Sequence, residues 1–258
     1  MKKISICFIA IILVAAMLAG CGAQAETSAP ETVIGSVDAA TPGDTTSAVP
    51  EAAPEAAPEA APEEGNAYAK QLALYHTALT EKWSEGQYFE NGMSPLASYY
   101  YDGNPLENVG YCFIDLDNDG SDELIIGGIL NSETDPSVFE IWTLVNGEPT
   151  VLVQGGTRNR YIMQYVAEDE MWYVANECAN NAASHGTYYL MLSEGQLQVY
   201  QGIVYDAYAN EANPWFMAYD LDWDTSNDEP TDEETANSIL EINKGYYTVP
   251  EYIPFLSY

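Results

Sequence analysis

The 258-residue chain carries 40 Asp and Glu against 7 Lys and Arg, a formal net charge of −33. Nucleic acid and anionic lipid surfaces are bound through a basic face, so this balance excludes both as partners and leaves divalent cations open. The length supports one folded domain with a proper core.

The N-terminus reads as a leader, because Lys2 and Lys3 precede an apolar run from Ile4 to Leu18 that ends in small residues. That run is shorter than the roughly 20 residues a helix needs to span a bilayer. Leu18-Ala19-Gly20-Cys21 resembles the lipobox of bacterial lipoproteins. The resemblance implies cleavage after residue 20, a lipidated Cys21, and a cell-membrane address on the extracytoplasmic face, with the lipid as the contact to membrane. A simple cleavable signal ending near Ala23 or Ala25, giving a freely secreted protein, is the alternative.

Residues 21–65 then form a linker rich in Ala, Pro, Glu, Thr and Ser, too poor in large apolar side chains to offset the entropy of ordering. Its Glu-Ala-Ala-Pro repeat from Glu51 to Pro62 places Pro at every fourth residue, which prevents a continuous helix and favours an extended spacer.

The remaining stretch, 66–258, reads as a single extracytoplasmic β-rich domain. Tyr68, Leu72, Tyr75, Leu79 and Trp83 are spaced for an amphipathic helix over 66–86, with Gly86 as its stop. Beyond Tyr111 the period changes to two. Hairpins are expected about Asn146-Gly147, Glu168-Asp169-Glu170 and Ser193-Glu194-Gly195. Thr231 and Glu234 match a capping box for a short helix over 236–242 that Gly245 ends. The expected fold is α+β: an antiparallel β-meander, as a curved sheet or a partly open barrel, bracketed by an N-terminal and a short C-terminal helix.

The sharpest chemical motif runs from Asp115 to Gly127. Asp115, Asp117 and Asp119 alternate, Gly120 permits a sharp turn, and the Ser121 carbonyl and Glu123 carboxylate complete a set of hard oxygen donors. An EF-hand would need a bidentate Glu at the twelfth position, which is Ile126. The segment resembles instead the calcium loop of FG-GAP and VCBS-type repeats, where a strand enters an acidic loop and an apolar strand leaves it. That resemblance covers about seventeen residues and implies one structural calcium. A several-bladed propeller is disfavoured, because the chain has one good copy. The order of linker, helix, loop and hairpins resembles certain Gram-positive lipoproteins, which implies no activity.

A weaker acidic series, Asp220, Asp222, Asp224 and Asp228, is a candidate second metal loop. It lacks the glycine, and reads better as a strand with Asp on its wet face and Tyr219, Leu221 and Trp223 on the other. Cys112 and Cys178 are left to form a disulfide in an oxidising exterior. His76 and His185 fit no zinc spacing, and there is neither a GxSxG elbow nor a glycine-rich phosphate loop. Tyr99, Tyr100, Tyr101, Trp172, Tyr173, Trp215 and Trp223 are candidates to line a sugar groove, with the Tyr triplet in a loop as the best exposed. The expectation is a binding module for cell-wall glycan or another exported protein, with a cell-envelope hydrolase as the alternative.

Overall fold

The computed structural model describes residues 66–129 and 138–258. Cys21, the leader and the linker lie outside the described residues.

Helix α1 (Ala69–Glu81) buries Leu72, Tyr75, Ala78 and Leu79 along one stripe, as the spacing predicts. It ends earlier than expected, because Lys82 adopts a left-handed conformation (φ 52°) and its N–H closes onto Ala78 and Leu79 carbonyls. A second short helix, α2 (Glu85–Glu90), follows from a capping box in which Ser84 and Gln87 satisfy each other's backbone. Gly86 therefore lies inside a helix and does not stop one. The chain next forms a 3-10 helix at Pro95–Tyr100 and a single turn, α3 (Pro105–Asn108), both opened by Pro in the first turn, where its missing N–H costs nothing.

Eleven strands build one antiparallel sheet. They are β1 (Val109–Ile114), β2 (Glu123–Gly128), β3 (Val138–Val145), β4 (Glu148–Gln154), β5 (Asn159–Val166), β6 (Met171–Asn181), β7 (Ser184–Ser193), β8 (Gln196–Asp206), β9 (Trp215–Ala218), β10 (Glu229–Pro230) and β11 (Ile253–Pro254). The order is β10-β9-β8-β7-β6-β5-β3-β2-β1-β11, with β4 beside β3 as a branch. The sheet does not close into a barrel. The hairpin turns sit where expected: Asn146-Gly147 and Glu194-Gly195 both have positive φ at two successive residues, the geometry that matches strand twist. Helix α4 (Glu233–Lys244) extends beyond the expected 236–242 at both ends, and its cap is Asp232, one residue after Thr231, accepting from Thr235 N at 2.8 Å.

Register shifts in the β2–β3, β3–β4, β6–β7 and β7–β8 pairs add twist and curvature. The sheet has apolar cover on both faces. One face of β1–β3 carries the N-terminal helices over Tyr111, Leu124, Ile126 and Phe139, with Phe255 sealing the edge. The other face gathers Cys112, Ile125 and Ile141 with Met163, Val174, Leu190 and Val204 into one core. A smaller cluster of Ile162, Ala175 and Tyr189 takes α4 through Ile239.

Cys112 and Cys178 are both free thiols, not a disulfide. They stand on β1 and β6, with β2, β3 and β5 between them in the sheet, too far for the ~6 Å Cα separation a bridge requires. Burial pushes the Cys112 thiol up to about 12 and the Cys178 thiol up to about 11, so neither offers a thiolate at neutral pH.

Candidate metal centre

The acidic loop is the connection between β1 and β2, with Ile114 paired to Glu123 at its base. Asn118 (φ 57°) and Gly120 (φ 91°) supply the left-handed residues that fold the chain back on itself. Asp115 holds this turn from within, its Oδ1 accepting from Asp119 N at 3.0 Å and its Oδ2 from Gly120 N at 2.9 Å. Asp119 Oδ1 accepts from Ser121 N at 2.7 Å, a local turn of the kind aspartate makes with the backbone two residues on.

Glu123 enters from the first position of β2 and is only 2% exposed. Its Oε2 accepts from Leu116 N and its Oε1 from Thr143 Oγ1, both at 2.9 Å, leaving each oxygen a further lone pair. Burial pushes its carboxyl up to about 7, reinforced by Asp117 and Asp119 and opposed by the two hydrogen bonds. Asp117 is raised too, by burial first and then by Asp119 and Asp115.

One ligand atom each from Asp115, Asp117 and Glu123 lies within 4.8 Å of the others. Calcium–oxygen distances of about 2.3–2.6 Å allow two ligands of one ion up to ~5 Å apart, so three donors at this spacing fit one ion. Asp117 Oδ1 is a buried oxygen with no hydrogen-bond partner, the donor that a cation would satisfy. The donor set is all oxygen and anionic, which suits a hard cation and not zinc or copper. Asp119 does not join the three carboxylates; its charge stands nearby while its side chain shapes the turn. On the helical side, the Tyr68 hydroxyl donates to the Asp122 carbonyl at 3.1 Å, so α1 is tied to the loop.

The series at 220–228 does not make a second centre of this kind. Among the described residues, the three-carboxylate group at 115–123 is the one cluster of its type. The strand expected there does not form either: β9 ends at Ala218, and Tyr219 and Leu221 are exposed. Asp220, Asp222 and Asp224 instead accept in turn from Asp222 N, Asp224 N and Ser226 N, a staircase of turns that ends in a 3-10 helix at Thr225–Asn227. Asp228, below them, is pushed up to about 6 by burial and by those three charges.

The aromatic candidates divide. Trp172 against Tyr165 and Trp215 against Tyr205 are cross-strand pairs with centroids 4.9 and 5.0 Å apart. Tyr173 lies 5.8 Å from Tyr200. Tyr100 is half-buried against Phe139, and Tyr101 donates to the Trp83 carbonyl, which leaves Tyr99 alone of the triplet exposed. His185 stacks on Tyr205 and His76 meets Tyr258.

No family model matches this chain, and neither a curated protein nor a solved structure does.

The raised Glu123 carboxyl would give the binding of any hard cation at this centre a definite pH dependence. Its folded value near 7 lies above the ordinary 4.5, so the ion-free fold holds a proton that the unfolded chain has lost across that window. Ion-free stability therefore falls as pH rises from 4.5 to about 7. Calcium requires the carboxylate and must expel that proton. The melting shift produced by calcium is expected to be small at pH 5 and to grow to a plateau above pH 7. Melts with calcium and with chelator across this range check it, and equal shifts at both ends would refute the role given to Glu123.

Proposed function

We propose that the chain is an exported bacterial lipoprotein whose domain, 66–258, is a calcium-stabilised binding module for cell-wall glycan or another exported protein. The leader and Leu18-Ala19-Gly20-Cys21 support the address, with lipid on Cys21 as anchor and residues 22–65 as spacer. Among the described residues no helix is long and apolar enough to cross a membrane.

The observation that carries the calcium reading is the buried, unpartnered Asp117 Oδ1 beside the Asp115 and Glu123 carboxylates. Calcium there is structural: it neutralises charge gathered at the β1–β2 turn and fixes the loop to which α1 is tied through Tyr68. Free calcium outside the cell reaches the level that fills weak loop sites, whereas the cytosol does not. Export then completes the fold as well as placing it.

The address is tested separately from the ion. A Cys21→Ser chain expressed in a Gram-positive host is expected to leave the membrane fraction and to lack the added mass of a diacylglyceryl group. Unchanged fractionation with no lipid mass on the parent chain would refute the anchor.

A further inference from the structure

Well away in sequence from the acidic loop, a cleft of about 340 Å³ opens between the sheet and the segment 219–224. Tyr161, Asn176 and Tyr188 are directly paired across β5, β6 and β7, and so are Asn159, Cys178 and Gly186, which places all six on one face of the sheet. The roof is Leu221 and Trp223, and Arg158 stands exposed at the mouth. The roof is held down by two contacts: Tyr188 donates to the Asp222 carbonyl at 3.4 Å, and Trp223 meets the Tyr188 ring edge-on at 6.3 Å. Gly202 makes this possible, because a Cβ there would meet the Tyr188 ring at 2.6 Å.

The floor is polar and organised. Asn176 is 4% exposed, and its Nδ2 donates to Asn159 Oδ1 at 2.7 Å and to the Arg160 carbonyl at 3.2 Å. Both of these bonds use the Nδ2 group and leave Oδ1 out. Asn159 Nδ2 donates to Tyr161 Oη at 3.1 Å, which leaves the phenol proton to give. Arg158 spends one N–H on the Asn180 carbonyl and keeps the rest.

Two further features narrow the ligand. No carboxylate lines this cleft directly, and the charges of Asp228, Asp220 and Asp222 reach it only at the Tyr188 hydroxyl, leaving Arg158 as the one charged group in its lining. The volume is at the small end of the roughly 300–1,000 Å³ usual for ligand sites, which suits one ring and not a peptide. The Asn176 amide oxygen and the Tyr161 phenol proton on the floor, with an indole and a Leu above, match the hydroxyls and the C–H face of a pyranose.

We infer that this cleft is a binding site for a single sugar residue, preferentially one bearing a carboxylate that Arg158 would hold. The inference rests on the reading of the domain as a binding module and supplies that module with its ligand class.

The test is titration of the mature chain, saturated with calcium, with glucose, N-acetylglucosamine and glucuronic acid, read by tryptophan fluorescence and calorimetry. Saturable binding is expected, with glucuronic acid about tenfold tighter than glucose. Trp223→Ala is expected to weaken every sugar by about tenfold or more in a chain that still melts cooperatively, and Arg158→Gln to remove only the preference for the acid. No saturation by roughly 10 mM of any sugar, or undiminished binding in the Trp223→Ala chain, would overturn the inference. Retention on purified wall glycan separates the two readings. Equal retention of parent and Trp223→Ala chains overturns the cleft and leaves the module, whereas retention of neither, with glucuronic acid still bound, supports the cleft and overturns the wall as target.

Discussion

Calcium added to the purified mature chain is expected to raise its melting midpoint by about 5–10 °C, and an Asp117→Ala chain is expected to show no such shift. An ion held at about 100 times its dissociation constant contributes ~2.7 kcal/mol, and in a domain of this size each kcal/mol moves the midpoint by about 2–4 °C. Asp117 is the informative position because its Oδ1 makes no bond that the ion-free fold would lose. Asp115 would be a poor choice, since its two oxygens hold the turn through Asp119 N and Gly120 N. In chelator the Asp117→Ala chain should melt close to the parent, because the charge that leaves a crowded loop offsets the backbone hydrogen bond lost at Asp119.

The second large effect is expected away from the metal. Glu140 on β3 is fully buried, and no Lys or Arg pairs with it among the described residues. It accepts from Ser94 N, from Trp142 Nε1 at 2.8 Å and from Gln154 Nε2 at 3.4 Å, and so pins the segment before the first 3-10 helix to the sheet. Glu140→Ala would strand the buried Ser94 N–H and open a cavity, at a cost of about 3 kcal/mol or more. Glu140→Gln keeps one acceptor and should cost about 1 kcal/mol. Burial raises the Glu140 carboxyl above its ordinary value, so its contribution to stability is present at low pH and is lost as pH rises through the folded value. Urea midpoints for the three chains at two pH values measure both effects. A Glu140→Ala chain within about 0.5 kcal/mol of the parent would contradict the pinning role.

The fold was legible where local chemistry decides it. The period-two strands, Asn146-Gly147 and Ser193-Glu194-Gly195 announce the meander, and the alternating Asp of 115–119 announce the loop. Tertiary pairing decided the rest. The helix breaks at Lys82 with no glycine to signal it. β6 and β7 run on through an Asn, Ala and Ser-rich stretch of low strand propensity because their neighbours continue the ladder. At 219–224 the alternation of acids and apolar residues imitates a strand, but each Asp is taken by the backbone two residues on, which bends the chain instead.

In the metal centre the three carboxylates of 115, 117 and 123 were readable from spacing, whereas the separate structural task of Asp119 was not. Thr143, which orients Glu123, and Tyr68, which ties α1 to the loop, lie 20 and 54 residues from their partners and left no local signal. The cleft roofed by Trp223 is further out of reach of pattern reading, since its lining converges from four separated stretches about Arg158, Asn176, Tyr188 and Trp223.

Direct calcium titration of the mature chain by calorimetry at neutral pH tests the central claim most closely. One ion per chain is the expected stoichiometry, with binding abolished in Asp117→Ala and unchanged in Asp222→Ala. No heat of binding up to roughly 10 mM calcium, or full binding retained by the Asp117→Ala chain, would contradict it.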